Sequence, residues 1–300
     1  MGDVGVDIEA LVAAGDADAC IATLLAVDAE TRRPLASIAL RLLEAVEQEW
    51  LSTFGGQDRD SLRRRRGVAS AAALCCGERG DLRRRRVWLG GEHAARILVA
   101  RRPPWLQDFV EEQFPPGQRG PFEWLDPLAA AGAITITPAL AAAIPGALFW
   151  FVRDEHTVAG TIRDRPWLRD AVWLLFEVEG GGESSLAAAD KYSGPAGNWQ
   201  SALVELAADG TLDRRRLLDA SLDALDRGFA EFRAGWFLRF HQALAPTLEE
   251  RASRADRYLR LLASPQGPTQ SFALNAVEAL EKAGCVDSAE LVGGLRHLVA

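Results

Sequence analysis

Lysine is almost missing from this sequence: of its 34 basic residues only Lys191 and Lys282 are lysine, and the other 32 are arginine. With abundant alanine and glycine alongside, that bias points to a GC-rich genome, so an arginine count alone is weak ground for nucleic-acid binding. Cysteine is scarce as well. The four cysteines, at 20, 75, 76 and 285, lack the spacing of a disulfide framework, which fits a reducing compartment and makes the cytoplasm the simplest assignment. The first residues, MGDVGVDIEALVAAGDADAC, carry acids where a secretory leader needs basic residues, and no apolar core follows. Long charge-free runs are missing apart from residues 127–152, PLAAAGAITITPALAAAIPGALFWFV. Its length alone permits a membrane span, but Pro138, Pro145, Gly132 and Gly146 interrupt it. Thr137-Pro138 also reads as an N-cap followed by proline at the first helical position. A buried core segment is therefore expected, with no membrane contact.

What remains is ordinary for a globular protein: 48% apolar and 25% charged residues in 300, enough for one large domain or two. The net charge of −8 argues against a protein that coats nucleic acid with its whole surface. The charge is uneven, however. Residues 57–102 hold 13 arginines and 5 acids, a balance of +8, so the rest of the chain carries −16.

The period of the apolar residues is helical nearly throughout. Ile8–Ala14, Asp16–Ala26 and Leu35–Trp50 read as helices, the first ended by Gly15. Pro103-Pro104 opens Trp105–Phe114, and Pro166 opens Trp167–Val178. Ala133–Thr137 looks strand-like but is too short to found a sheet. From Asn198 onward six helices follow one another: Asn198–Asp209, Asp213–Arg227 with Asp213 as N-cap, a stripe Phe229, Phe232, Trp236, Phe240, Ala243, a helix opened by the Thr247/Glu250 capping box with Ala252, Ala255, Leu259 and Leu262 inward, Thr269–Ala283, and a last one from Asp287. Connections this short force neighbours to pack antiparallel. The expected fold class is all-α, a HEAT/armadillo-like α-solenoid of antiparallel helical hairpins. The expected division is a helical region over 1–180, a Gly/Ser-rich loop or linker over 181–197, and hairpins over 198–300.

Three stretches, GTLDRRRLLDASLDAL, RGFAEFRAGWFLRFHQALAPT and YLRLLASPQGPTQSFALNAVEAL, resemble a family of uncharacterised bacterial proteins, a domain of unknown function built of HEAT-like repeats. The piece RRPPWLQDFVEEQF is similar too. The resemblance implies a longer array, in keeping with the absence of a C-cap glycine after LRHLVA, and it brings no activity and no catalytic residues.

The chemistry-bearing residues are few. Cys75 and Cys76, adjacent on a helix, point about 100° apart and have no partner nearby in sequence, so structural packing is expected over a redox or metal role. His93, His156, His241 and His297 form no metal-binding pair. His241 fits a half-buried hydrogen-bonded imidazole, and a hydrolytic site around His156, with Asp154 and Glu155, or around His241 ranks last. Asp219, Asp223 and Asp226 share a helix face, as a cation site or as an ion-pair face with Arg215, Arg216 and Arg227. No phosphate loop or nucleophile elbow is present, and no cofactor or metal is expected.

The segment LRRRRGVASAAALCCGERGDLRRRR, residues 62–86, stays open. Arg63, Arg64, Arg65, Arg66, Arg83, Arg84, Arg85 and Arg86, with Trp88, Arg101, Arg102 and Trp105 close behind, fit internal pairing with the chain's own acids, an acidic protein or peptide partner, or a nucleic acid. The leading expectation is a non-catalytic scaffold that holds a protein or peptide partner. The second is a HEAT-like nucleic-acid-binding protein using the Arg/Trp-rich segment 62–105, either a binder alone or an enzyme acting on a base, as some HEAT-like DNA glycosylases do; it needs an acid such as Asp108 or Asp154 beside the arginines.

Overall fold

The computed structural model describes residues 6–52, 59–84, 92–115, 122–152, 156–181 and 184–286, and among them the regular structure is helical. The chain forms two compact units, Met1–Gln113 with Pro121–Thr135, and Phe114–Gly120 with Ile136–Ala300.

The first unit holds α1 (Ile8–Ala14), α2 (Ala17–Ala26), α3 (Ala29–Ser52), α4 (Arg59–Cys76), α5 (Arg79–Arg84), α6 (Glu92–Arg101), α7 (Leu106–Gln113) and α8 (Phe122–Ala130). The Asp7 carboxylate accepts the Ala10 N–H at 3.0 Å and Asp16 that of Ala19 at 3.0 Å, which satisfies orphan donors at both helix starts. Gly15, at φ 72°, closes α1 because only glycine enters the left-handed region without strain. The helix expected from Leu35 begins at Ala29, where the Asp28 carboxylate takes the Thr31 N–H at 2.8 Å.

The centre of this unit is α4, in which every residue from Val68 to Cys76 is buried. A helix buried on all sides needs neighbours on all sides, and α1, α2, α3 and α6 all pack on it. Its run of Ala, Ser and Cys lets those backbones come close. At the C-terminal end the Arg101 guanidinium donates to the carbonyls of Leu74 and of Gly77, the latter at 2.9 Å. That caps the orphan carbonyls and sets a cation at the negative end of the helix dipole. Gly67 sits in the middle of α4 with no positive φ, and a Cβ built on it meets nothing within 4 Å. Since glycine in a helix interior is worse than alanine by about 0.5–1 kcal/mol, Gly67→Ala is expected to stabilise this unit by that amount, read as an upward shift of its urea midpoint; a lower midpoint would contradict the open space over Gly67.

The second unit holds α9 (Pro138–Phe151), α10 (Val158–Asp164), α11 (Pro166–Ala171) continuing into a 3-10 turn at Val172–Phe176, α12 (Leu186–Tyr192), α13 (Trp199–Ala208), α14 (Arg214–Asp226), α15 (Glu231–Ala243), α16 (Leu248–Ala252), α17 (Ala255–Leu261) and α18 (Gly267–Lys282). The long charge-free run resolves as expected around Thr137, which caps α9 through the Leu140 N–H. Leu140, Ala141, Ile144 and Leu148 are buried. Among the described residues no helix is long and apolar enough to cross a membrane.

Four expectations need correction. Ala133–Thr137 is no strand; it starts with a bend at Ala133 and Ile134, and the Thr135 backbone is held by one side chain of the first unit, Gln107, whose amide accepts the Thr135 N–H at 2.9 Å and donates to the Thr135 carbonyl at 3.1 Å. The helix expected over Trp167–Val178 tightens to 3-10 at Val172. The helix expected to run on from Thr247 breaks at Ser253–Arg254; the break turns Tyr258 and Leu261 inward, while Ala252, Ala255 and Leu259 are only half-buried. The Gly/Ser-rich stretch lies inside the second unit and carries α12, whose Leu186–Ala189 are buried; the compact units part instead around residues 113–136. The helix expected from Asp287 lies outside the described residues.

The last helices form two hairpins in succession. The α14–α15 pair is joined through Gly228 at φ 73°, and α17–α18 follows, with α14 against α17 and α15 against α18. The first contact is laced by ion pairs: Arg254 to Asp219 at 2.7 Å, Arg257 to Asp223 at 2.5 Å, and Arg260 to Asp226 at 4.0 Å. The three aspartates thus form the ion-pair face foreseen, but with arginines of another helix rather than Arg215, Arg216 and Arg227.

Candidate functional site

Among its described residues, the arginine segment divides between arginines engaged within the protein and exposed ones. Arg65 pairs with Glu49 at 3.1 Å and Arg66 with Glu47 at 2.6 Å, because the α3–α4 hairpin lays the two helices side by side. The Arg66 guanidinium also lies over the Trp50 ring, 5.2 Å from its centroid. Arg83 is 3.7 Å from Glu112. Arg101 is turned to the end of α4, and Arg102, at φ 41°, donates to the Ala131 carbonyl at 2.7 Å. The Trp105 indole donates to Glu78 at 2.7 Å and is flanked by Arg101 and Phe109. The side chain of Arg84 and all of Arg85, Arg86 and Trp88 lie outside the described residues. Arg63 and Arg64 remain exposed, with no ion pair to a described residue. Asp108, one of the acids a base-processing site would use, pairs with Arg79 at 3.0 Å; Asp154 lies outside the described residues.

Beside Arg63 the structure has a groove that the sequence did not show. One face of α4, formed by Arg63, Arg66, Gly67, Ser70, Ala71 and Leu74, faces Trp50, His93 and Ala94 across a space of about 370 Å³. Helical spacing alone puts those six residues on one side, but the opposite wall comes from α3 and α6 and is invisible in any local pattern. The Nδ1 atom of His93 is buried and makes no hydrogen bond, a state that ordinarily costs about 1–3 kcal/mol.

The arrangement most like a catalytic pair is in the second unit. The Ser221 hydroxyl lies 2.8 Å from His241 Nδ1, and His241 Nε2 lies 2.7 Å from the Tyr258 hydroxyl. The Ser221 hydroxyl also lies 2.9 Å from the Leu218 carbonyl of its own helix, so each polar atom of the trio has a partner within the protein. Burial, with Arg254 and Arg251 adding to it, pushes the imidazole down to about 3, and burial pushes the Tyr258 phenol up to about 12. His241 is 1% exposed and Ser221 fully buried, so this trio is a neutral cross-tie between α14, α15 and α17.

The cysteines behave likewise. Cys20, Cys75 and Cys76 are buried, and desolvation holds their thiols at about 11, 12 and 11. Thiols so protonated are poor nucleophiles. Among the described residues no group of three or more His, Cys, Asp or Glu is placed to hold a metal ion. His156 is exposed against the Phe151 ring, 5.0 Å between centroids.

A second feature open to solvent lies on the second unit. Tyr192, at the end of α12, is 56% exposed and Phe232, in the first turn of α15, 51%. Between them sits Lys191, its ammonium 5.3 Å from the Tyr192 ring and 5.8 Å from that of Phe232. Phe232 belongs to the periodic stripe Phe229–Phe240, but only Trp236 and Phe240 of that stripe's later turns are fully buried, and Phe232 in its first turn stays half exposed. No local pattern signals the pairing, since Phe232 lies 40 positions after Tyr192.

No curated protein and no solved structure matches the chain. A family described as Domain of unknown function (DUF6493) matches residues 7–294.

Proposed function

The chain belongs to the DUF6493 family, which carries no assigned activity, and on that premise we propose that it is a non-catalytic binding scaffold of the bacterial cytoplasm, a HEAT-like stack of helical hairpins that holds a protein or peptide partner. Two features support the HEAT-like part. Equivalent helices of successive hairpins pack on each other, α14 with α17 and α15 with α18. From Arg214 to Ala255 the step is 41 residues, within the HEAT and armadillo range of roughly 40–47.

The observation that carries the binding reading is the exposed pair Tyr192 and Phe232 around Lys191. Aromatic side chains dominate interface energetics, and fully burying one is worth about 1.5–3 kcal/mol. Lys191 adds a cation that pairs with an acidic group of the partner. A nucleic-acid partner is the second reading; among the described residues of the segment it would use, Arg65, Arg66, Arg101 and Arg102 are engaged within the protein.

The experiment places a photo-crosslinking residue at Tyr192 and, as a control, at exposed Ser271, in cells of the source organism. One discrete protein adduct is expected from position 192 and none from 271, and the adduct should fall at least tenfold with Phe232→Asp, whose exposed position leaves the fold intact. Equal adducts at both positions, or an adduct indifferent to Phe232→Asp, would sink the scaffold reading at this surface.

A further inference from the structure

The α4 groove of the first unit is a separate problem, since it is far more enclosed than the aromatic pair and differs in chemistry from end to end. From Arg63 to Leu74 the lining face advances eleven residues, about 16 Å of helix. Arginines stand at its start, Gly67, Ser70 and Ala71 in the middle, and Leu74 at its end. Gly67 is the residue that keeps the middle open. Its backbone has no positive φ and no neighbour within 4 Å of a built Cβ, so neither conformation nor crowding requires glycine there. What a side chain would change is the space in the groove.

The groove's size and polar groups decide the occupant. Its 370 Å³ falls in the range of small-molecule sites. A helical segment, 10–12 Å across with side chains, needs roughly 1,000 Å³ or more over the same 16 Å. An extended peptide would fit but brings a main-chain donor and acceptor with every residue, and the helical walls, whose own amides are bonded within the helices, offer only Ser70, His93 and the arginines in return. A hydrocarbon chain makes no such demand. Charge fixes its head. Glu47 neutralises Arg66 at 2.6 Å, whereas Arg63 has no ion-pair partner among the described residues, so the described lining offers one guanidinium without an ion pair and matches a monoanion.

We propose that the α4 groove binds an unbranched fatty carboxylate, its carboxylate on Arg63 and its chain laid over Gly67, Ala71 and Leu74 toward the apolar end. His93 Nδ1 supplies a hydrogen-bonding atom that the protein itself leaves unused. The site goes beyond the partner-binding reading and does not depend on it.

The test is calorimetric titration of the full chain with sodium dodecanoate, whose extended length matches the lining face of α4, below its micellar concentration. Saturable one-to-one binding is expected. Gly67→Leu, which fills the groove from an uncrowded position, should weaken it at least tenfold without lowering the thermal midpoint. Arg63→Ala should weaken dodecanoate at least tenfold and leave dodecanol unchanged. Dodecyl phosphate, a dianion, should bind more weakly than dodecanoate. No saturable binding, unaltered binding to Gly67→Leu, an equal loss of dodecanol and dodecanoate with Arg63→Ala, or tighter binding of the phosphate would each overturn the proposal.

Discussion

Replacing Asp190 by alanine is expected to destabilise the second unit by about 3–4 kcal/mol. The residue lies in the stretch that composition marks as a loop, yet its carboxylate is a junction. One oxygen accepts the Trp199 N–H at 2.6 Å; the other accepts the Gln200 N–H at 3.1 Å and the Trp236 indole N–H at 2.8 Å. The first two donors open α13, whose third is taken by the Asn198 side chain, so Asp190 completes the cap and sets a negative charge at the positive end of the helix. Both tryptophans are 1% exposed. Burial pushes the Asp190 carboxyl up although three N–H groups pull it down, the mark of a charge held by its bonds and not by solvent. Alanine leaves three donors in a dry site, each worth about 1–3 kcal/mol if unpaired, partly relieved by water. Asp190→Asn keeps the volume and one acceptor but turns an NH₂ toward a donor, so about half the loss is expected. Urea unfolding followed by tryptophan fluorescence measures both; a loss under about 1 kcal/mol for Asp190→Ala would show that the junction is not structural.

The second large effect is with acid. His241 is neutral in the fold with a value of about 3 against 6.5 for the free side chain. Below pH 6.5 the unfolded chain takes up a proton that folded His241 refuses, so stability falls as pH drops, through the window from 6.5 to about 3, and is unaffected above it. At 1.36 kcal/mol per pH unit the full window amounts to about 4–5 kcal/mol. Asp209 and Glu250, held at about 2 by hydrogen bonds from Thr211 and Arg163 and from Arg214 respectively, lose stabilisation in the same direction but chiefly below pH 4.5. The comparison that isolates the histidine is His241→Leu. That variant is less stable, because Ser221 and Tyr258 lose their partner, yet its unfolding free energy should vary between pH 5 and 6.5 by one proton less than that of the parent. Identical pH slopes would mean that His241 is solvated and free to titrate, and would reopen the Ser221–His241 pair as chemistry.

These two cases show what the sequence could and could not reveal. Caps are local, so Asp7, Asp16, Thr137, Asp213 and the Thr247–Glu250 box announce helix starts within three residues of themselves, and the structure has each of them. Helical period is also local, which made the all-helical class legible. Partners across helices are not. Asp190 finds Trp236 46 residues away, and the Asp219, Asp223 and Asp226 face finds Arg254, Arg257 and Arg260 on α17. Arg65 and Arg66 read as part of a basic island because their acids, Glu49 and Glu47, lie on the other arm of a hairpin. Half the groove wall was present as an i, i+3, i+4 stripe on α4, but a stripe that faces a void looks the same in sequence as one that faces a core.

We propose that the chain binds a protein through Tyr192 and Phe232 and that its buried polar trio serves packing. The most direct measurement is hydrogen–deuterium exchange of the chain, free and in the complex isolated from native cells. Slowed exchange confined to residues 186–197 and 229–236, with 217–225 around Ser221 unchanged, is the predicted footprint. Protection that leaves those two segments untouched, or that centres on Ser221, His241 and Tyr258, would contradict it.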